Sequence, residues 1–138
     1  MGWKRKNKFN AVKCRYPDGP DGIWYHSRAE AKYAKLLDLL VADGTIKSWI
    51  PQFTVKIGAD TKWKVDFKVT ENDGTEYLVE YKGFEDKIYR NKLKLYKKYR
   101  KELLPLFVVR QKSKDWNNLH FGIIDQVGTE GIKGLLNV

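Results

Sequence analysis

The sequence predicts an α/β fold with a mixed central sheet flanked by helices, and three stretches carry that expectation. From Trp63 to Gly83 the chain reads Trp-Lys-Val-Asp-Phe-Lys-Val-Thr, then Glu71, then Asn72-Asp73-Gly74, then Thr75, then Glu-Tyr-Leu-Val-Glu-Tyr-Lys-Gly. Polar and apolar residues alternate with a period of two in both arms, and Asp-Gly between them marks a hairpin of adjacent antiparallel strands. Before it, Ser27 opens a helix with Glu30 at capping-box spacing. After it, a strongly basic stretch keeps helical spacing of its apolar residues.

Taken in order, residues 1–16 carry Lys4, Arg5, Lys6, Lys8, Lys13 and Arg15 with no acidic residue, and read as a mobile basic arm. Within and just beyond it, Val12 to Arg15 and Ile23 to His26 suit a small hairpin around Pro17-Asp18-Gly19-Pro20-Asp21-Gly22. The first helix runs from Ser27 to about Ala42 and stops near Gly44, burying Ala29, Tyr33, Leu36, Leu37 and Leu40. Ile46 to Ile57 is extended, and Pro51 within it argues for a sheet edge.

In the central hairpin, Asp66 shares a face with Lys64 and Lys68, while Val65, Phe67 and Val69 take the other. Glu80 and Lys82 point together, opposite Tyr77, Val79 and Tyr81. The second helix spans about Lys87 to Leu104 on a stripe of Tyr89, Leu93, Tyr96, Tyr99 and Leu103, and Pro105 ends it. Leu106 to Arg110 reads as a strand. Trp116, Leu119, Phe121, Ile123 and Ile124 suit a further strand or a cover over the core, and 129–136 a weak helix. One domain over 1–138 is expected, with the arm at 1–16, a core at 27–110 and a C-terminal extension at 111–138.

A net charge of +10 favours a polyanionic partner, and five Trp, eight Tyr and six Phe offer surfaces for bases or for core packing. Nucleic acid is the leading partner; core packing is the expectation for any one of Trp3, Trp24 and Trp63. No apolar run suits a membrane span or a secretion signal, so no membrane partner and a reducing cytoplasmic setting are expected. Cys14, His26 and His120 are too isolated for zinc or thiol chemistry.

Glu30, Asp66, Glu80 and Lys82 lie on elements expected to pack beside the hairpin. Clustered carboxylates suit a hard, oxygen-preferring cation, Mg²⁺ with Mn²⁺ as a substitute, that keeps open positions for a phosphate. A neighbouring lysine stabilises charge on the phosphorus centre or helps a water ionise.

Asp66 on one strand, Glu80-Tyr81-Lys82 on the next and Glu30 on a preceding helix resemble the PD-(D/E)XK nuclease superfamily. More narrowly, Ser27-Arg28-Ala29-Glu30, Val65-Asp66-Phe67 and Val79-Glu80-Tyr81-Lys82-Gly83 are similar to phage endonuclease I type junction-resolving enzymes and related phage nucleases. The resemblance covers about Ser27 to Arg110 and departs where Val65 stands in place of the usual proline, a position that supplies no ligand. It implies a restriction-endonuclease-like αβββαβ core and a Mg²⁺-dependent endonuclease acting on branched DNA such as a Holliday junction. It also implies a homodimer working in a bacterial cytoplasm, phage-encoded. Asp66, Glu80 and the Tyr81 backbone carbonyl would ligate the metal, Glu30 would serve a metal or its hydration shell, and Lys82 would assist the nucleophilic water.

The backbone-binding residues expected are Lys4, Arg5, Lys6 and Lys8 on the arm and Lys87, Arg90 and Lys94 on the second helix, with Lys87 and Arg90 nearest the chemistry. Two other readings stay open: a nicking or non-branched-DNA nuclease of the same fold, acting on linear or single-stranded DNA, and a non-catalytic basic DNA-binding module. In the second, Glu30 only caps its helix and the hairpin charges only pair across strands. In all three cases affinity for DNA should fall steeply with salt, by about 10³-fold or more between 50 and 200 mM for six or more phosphate contacts. A filter-binding titration that changes little over that range would contradict a backbone-binding surface.

Overall fold

A computed structural model describes residues 4–6, 12–17, 19, 22–112 and 120–132. Its centre is a five-stranded mixed sheet: β4 (Ser48–Lys56), β5 (Lys62–Thr70), β6 (Glu76–Tyr81), β7 (Leu106–Gln111) and β8 (Phe121–Val127), in that spatial order. Only β6 and β7 run parallel, joined through α2 (Lys87–Lys98); the other neighbours are antiparallel. A smaller antiparallel sheet of β1 (Lys4–Lys6), β2 (Val12–Tyr16) and β3 (Ile23–Tyr25) precedes α1 (Arg28–Ala42). Among the described residues no helix is long and apolar enough to cross a membrane.

The two helices cover opposite faces of the sheet. Under α1 lie Tyr33 and Leu37 with Phe67, Val69, Val79 and Phe107; under α2 lie Leu93 and Tyr96 with Trp63, Val65, Leu78 and Val108. Trp63 is thus a core residue, wedged edge-on against Tyr89 and Tyr96. The hairpin turn forms as the Asp-Gly pair predicts: Gly74 takes φ +90°, and Asp73 accepts the Thr75 amide at 2.9 Å. Pro51 sits on β4, an edge strand, where a missing amide is tolerated.

Several expectations need correcting. Lys4 to Lys6 do not form a mobile arm; their backbone pairs with β2 as the outer strand of the small sheet, while Lys8 lies outside the described residues. The expected pairing of β2 with β3 is present, with Arg15 opposite Trp24. The second helix is shorter than its apolar stripe suggested, ending at Lys98, and a single 3-10 turn over Arg100–Glu102 leads to Pro105. Of the two readings of the segment around Phe121, Ile123 and Ile124, the further strand is the one present: β8 completes the sheet and buries Phe121 and Val127. Part of the expected extension at 111–138 therefore belongs to the core, while Trp116 and Leu119 lie outside the described residues. Thr129 to Ile132 make a turn, not a helix, and 133–136 lie outside the described residues.

The strand alternation also breaks. Val65 packs under α2 but Phe67 packs under α1, so β5 changes faces at Asp66 instead of keeping one apolar side. Opposite Asp66 on β4 is Gln52, with the left-handed φ of +56° that a non-glycine residue rarely adopts. Period-two reasoning assumes a regular pleat, and the pleat is interrupted at this pair.

Phe67 ties the two layers to the site, with ring centroids 5.9 Å from Tyr25, 5.2 Å from Tyr33 and 5.7 Å from Trp49. Truncation by Phe67→Ala should cost about 3–5 kcal/mol in urea unfolding. A cost below about 1 kcal/mol would contradict this packing.

Candidate active site

The ladder between β5 and β6 ends at Phe67 opposite Val79. Beyond that pair, side chains take over the backbone's hydrogen bonds. Glu80 Oε1 accepts the Asp66 amide at 3.1 Å, and Asp66 Oδ2 accepts the Tyr81 amide at 2.9 Å. Asp66 and Glu80 therefore each satisfy a backbone donor of the opposite strand that the separating ladder would leave unpaired. β5 stays paired with β4, β6 stays paired with β7, and the cleft between them holds both carboxyls.

Glu30 reaches the same point from α1. Ser27 caps the helix, its Oγ accepting the Glu30 amide at 3.2 Å. The Glu30 carboxyl does not complete the capping box; it takes the His26 amide and shares a hydrogen bond with Asp66. Although in the first helical turn, Glu30 is only 7 % exposed, and Glu80 only 6 %. Burial first, then the proximity of Asp66, pushes both glutamates well above the ordinary carboxyl range. Burial also raises Asp66, against the lowering effect of its bonds to Glu30, Glu80 and the Tyr81 amide and of nearby Lys82. Burial and mutual proximity thus favour the protonated form of these acids, with Asp66 between the two glutamates.

This donor set fits a hard divalent cation, whose charge would offset the cost of burying ionised carboxylates. Among the described residues no three His, Cys, Asp or Glu side chains form a ready-made cage. The fit is to an ion that keeps several waters, as Mg²⁺ does. A backbone oxygen is available too. The Lys82 amide bonds Val109 O at 2.9 Å, so the trans peptide turns the Tyr81 carbonyl away from β7, toward the side of Asp66.

Lys82 is held on two sides. Its carbonyl accepts Arg110 Nε at 2.9 Å, while Arg110 also pairs with Glu85 at 3.3 Å. Its ammonium lies 5.5 Å from the centre of the Tyr89 ring. The Tyr89 hydroxyl in turn donates to Asp125 of β8 at 2.6 Å. β8 therefore braces the lysine from outside the hairpin, through one aromatic ring.

Glu30, Asp66, Glu80, Tyr81 and Lys82 all line one open cavity of about 870 Å³. A family scan, a search of curated proteins and a search of solved structures return no match.

Lys13, Lys64 and Lys92 bring further positive charge to the cavity wall. Lys87, Arg90 and Lys94 do not line it; they are exposed elsewhere on α2. Nearness to Gly83 in sequence singled out Lys87 and Arg90, but helix face decides, and Lys92 follows Ile88 by one turn on the cavity side. Lys64 shares the parity of Asp66 and was legible on that basis. Lys13 and Tyr89 gave no such signal, since one depends on the small sheet and the other reads as core.

The carboxyl cluster makes stability depend on pH. Because the folded glutamates titrate above the ordinary value of 4.5, the folded state binds more protons than the unfolded one above that pH. Their stabilisation is complete below about pH 4.5 and is lost as pH rises through the raised values. In chelator-treated protein, Glu30→Gln should flatten the fall in melting temperature between acid and neutral pH relative to the parent. Identical pH profiles for the two proteins would contradict the favoured protonation.

Proposed function

We propose that this chain is a Mg²⁺-dependent deoxyribonuclease with a restriction-endonuclease-like core, hydrolysing phosphodiester bonds in branched DNA. The observation that carries the chemical part is the convergence of Glu30, Asp66 and Glu80 where β5 leaves β6, with Lys82 beside them. The order helix, three strands, helix, strand agrees with the core that the resemblance implies. Branched DNA and a homodimer rest on the resemblance alone, since two symmetric cuts in a junction need two sites.

When bound, the cation supplies Lewis-acid polarisation of the scissile phosphate and lowers the pKa of a coordinated water. Asp66, Glu80 and the Tyr81 carbonyl would hold it, and Glu30 would orient Asp66 or a water of the ion's hydration shell through the hydrogen bond it shares with Asp66. Lys82, steered by Tyr89, offers its ammonium to the attacking water and to the charge that builds on the phosphate oxygens. Lys13, Lys64 and Lys92 align the strand in the cavity. Lys87, Arg90 and Lys94, on another face of α2, suit a DNA arm leaving the site.

Asp66→Ala and Lys82→Ala should each lower Mg²⁺-dependent cleavage of a synthetic four-way junction by about 10²-fold or more. Junction binding should persist in both. Continued cleavage by both variants would remove the site assignment. Equal cleavage of junction and matched linear duplex by the parent would transfer the activity to unbranched DNA, and binding without any cleavage would leave a non-catalytic module.

A further inference from the structure

Two large apolar side chains stand in solvent at the rim of the charged cavity. Phe84 is 64 % exposed and Ile88 is 61 % exposed, and both line the same space as Asp66 and Lys82. Single exposed apolar residues are common, but these two flank buried carboxylates and phosphate-seeking lysines. Their loop is also pinned. Glu85 pairs with Arg110 at 3.3 Å, and Asp86 caps α2 by accepting the Tyr89 amide at 2.8 Å. Phe84 therefore projects from a short segment fixed immediately on its C-terminal side.

Resting on the nuclease reading, we propose that Phe84 and Ile88 form a stacking platform for a nucleobase that has left the helical stack beside the scissile phosphate. Lys64, Lys82 and Lys92 confine the polyanionic backbone to the cavity, so the apolar rim meets what the backbone carries next, the base. A fully paired duplex keeps its base faces covered by neighbouring pairs and offers this rim nothing flat to cover. An unstacked base at a branch, gap or single-stranded end exposes a π-face that an aromatic ring can cover without regard to sequence. The platform selects DNA by disrupted stacking next to the cut, which is a narrower property than a basic surface confers.

The experiment uses the full chain carrying Asp66→Ala, so that binding is read without cleavage. Two oligonucleotide probes of equal end-to-end length are compared: a duplex with one unpaired 2-aminopurine opposite a gap, and the same duplex fully paired. Adding Phe84→Ala and Ile88→Ala should weaken binding to the gapped probe by about 5- to 150-fold, the range one base–aromatic stack supplies. It should also abolish quenching of the 2-aminopurine, with affinity for the paired duplex unchanged and thermal stability retained. Equal losses on both probes, or no loss on either, would overturn the platform and leave the nuclease reading standing. Intact affinities with lost self-association in sedimentation would assign the rim to a second copy of the chain and overturn it as well. Failure of the Asp66→Ala chain to bind either probe would overturn both readings together.

Discussion

The structure turns on one exchange of hydrogen bonds. At the end of the β5/β6 ladder, Asp66 takes the amide of Tyr81 and Glu80 takes the amide of Asp66. An ordinary hairpin would close this position with backbone carbonyls and leave both acids in solvent. Here the strands separate, the acids fill the gap, and the backbone donors stay satisfied. The same substitution that solves the local hydrogen-bonding problem gathers two carboxyls at one point. Burial then makes them costly as isolated charges, so the cluster has use for bound protons or for a cation.

Both layers of the fold support that gap. α1 is capped by Ser27 and lays Tyr33 and Leu37 on one face of the sheet, which brings Glu30 to Asp66. α2 is capped by Asp86 and lays Tyr89, Leu93 and Tyr96 on the other, which brings an aromatic ring to Lys82. The change of face at Asp66, opposite Gln52, lets a single residue lie between the two layers. A carboxyl from one helix and the carboxyls of the strands thus meet without either layer giving up its apolar packing.

Much of this was legible in the sequence because it is local. The capped first helix, the hairpin with its Asp-Gly turn, the edge position of Pro51 and the grouping of Glu30, Asp66 and Glu80 follow from spacing and turn chemistry. What could not be read depends on contacts distant in sequence. The interrupted pleat needs a left-handed Gln52, which no composition signal announces. Pairing of Lys4–Lys6 with β2 overrides the tendency of like charges to stay extended in solvent. The role of Asp125 depends on β8 returning to the sheet beside β7, and the choice of Lys92 over Lys87 depends on which face of α2 meets the cleft.

The central proposal is that Glu30, Asp66 and Glu80, buried together beside Lys82, serve a hydrated divalent cation that displaces protons on binding. Calorimetric titration of Mn²⁺ into the chelator-treated protein, repeated in buffers of different ionisation enthalpy, counts the protons displaced. The account predicts saturable binding near neutral pH with net proton release, and loss of both in Asp66→Ala. Saturable binding with no proton release, or binding that survives Asp66→Ala unchanged, would contradict it.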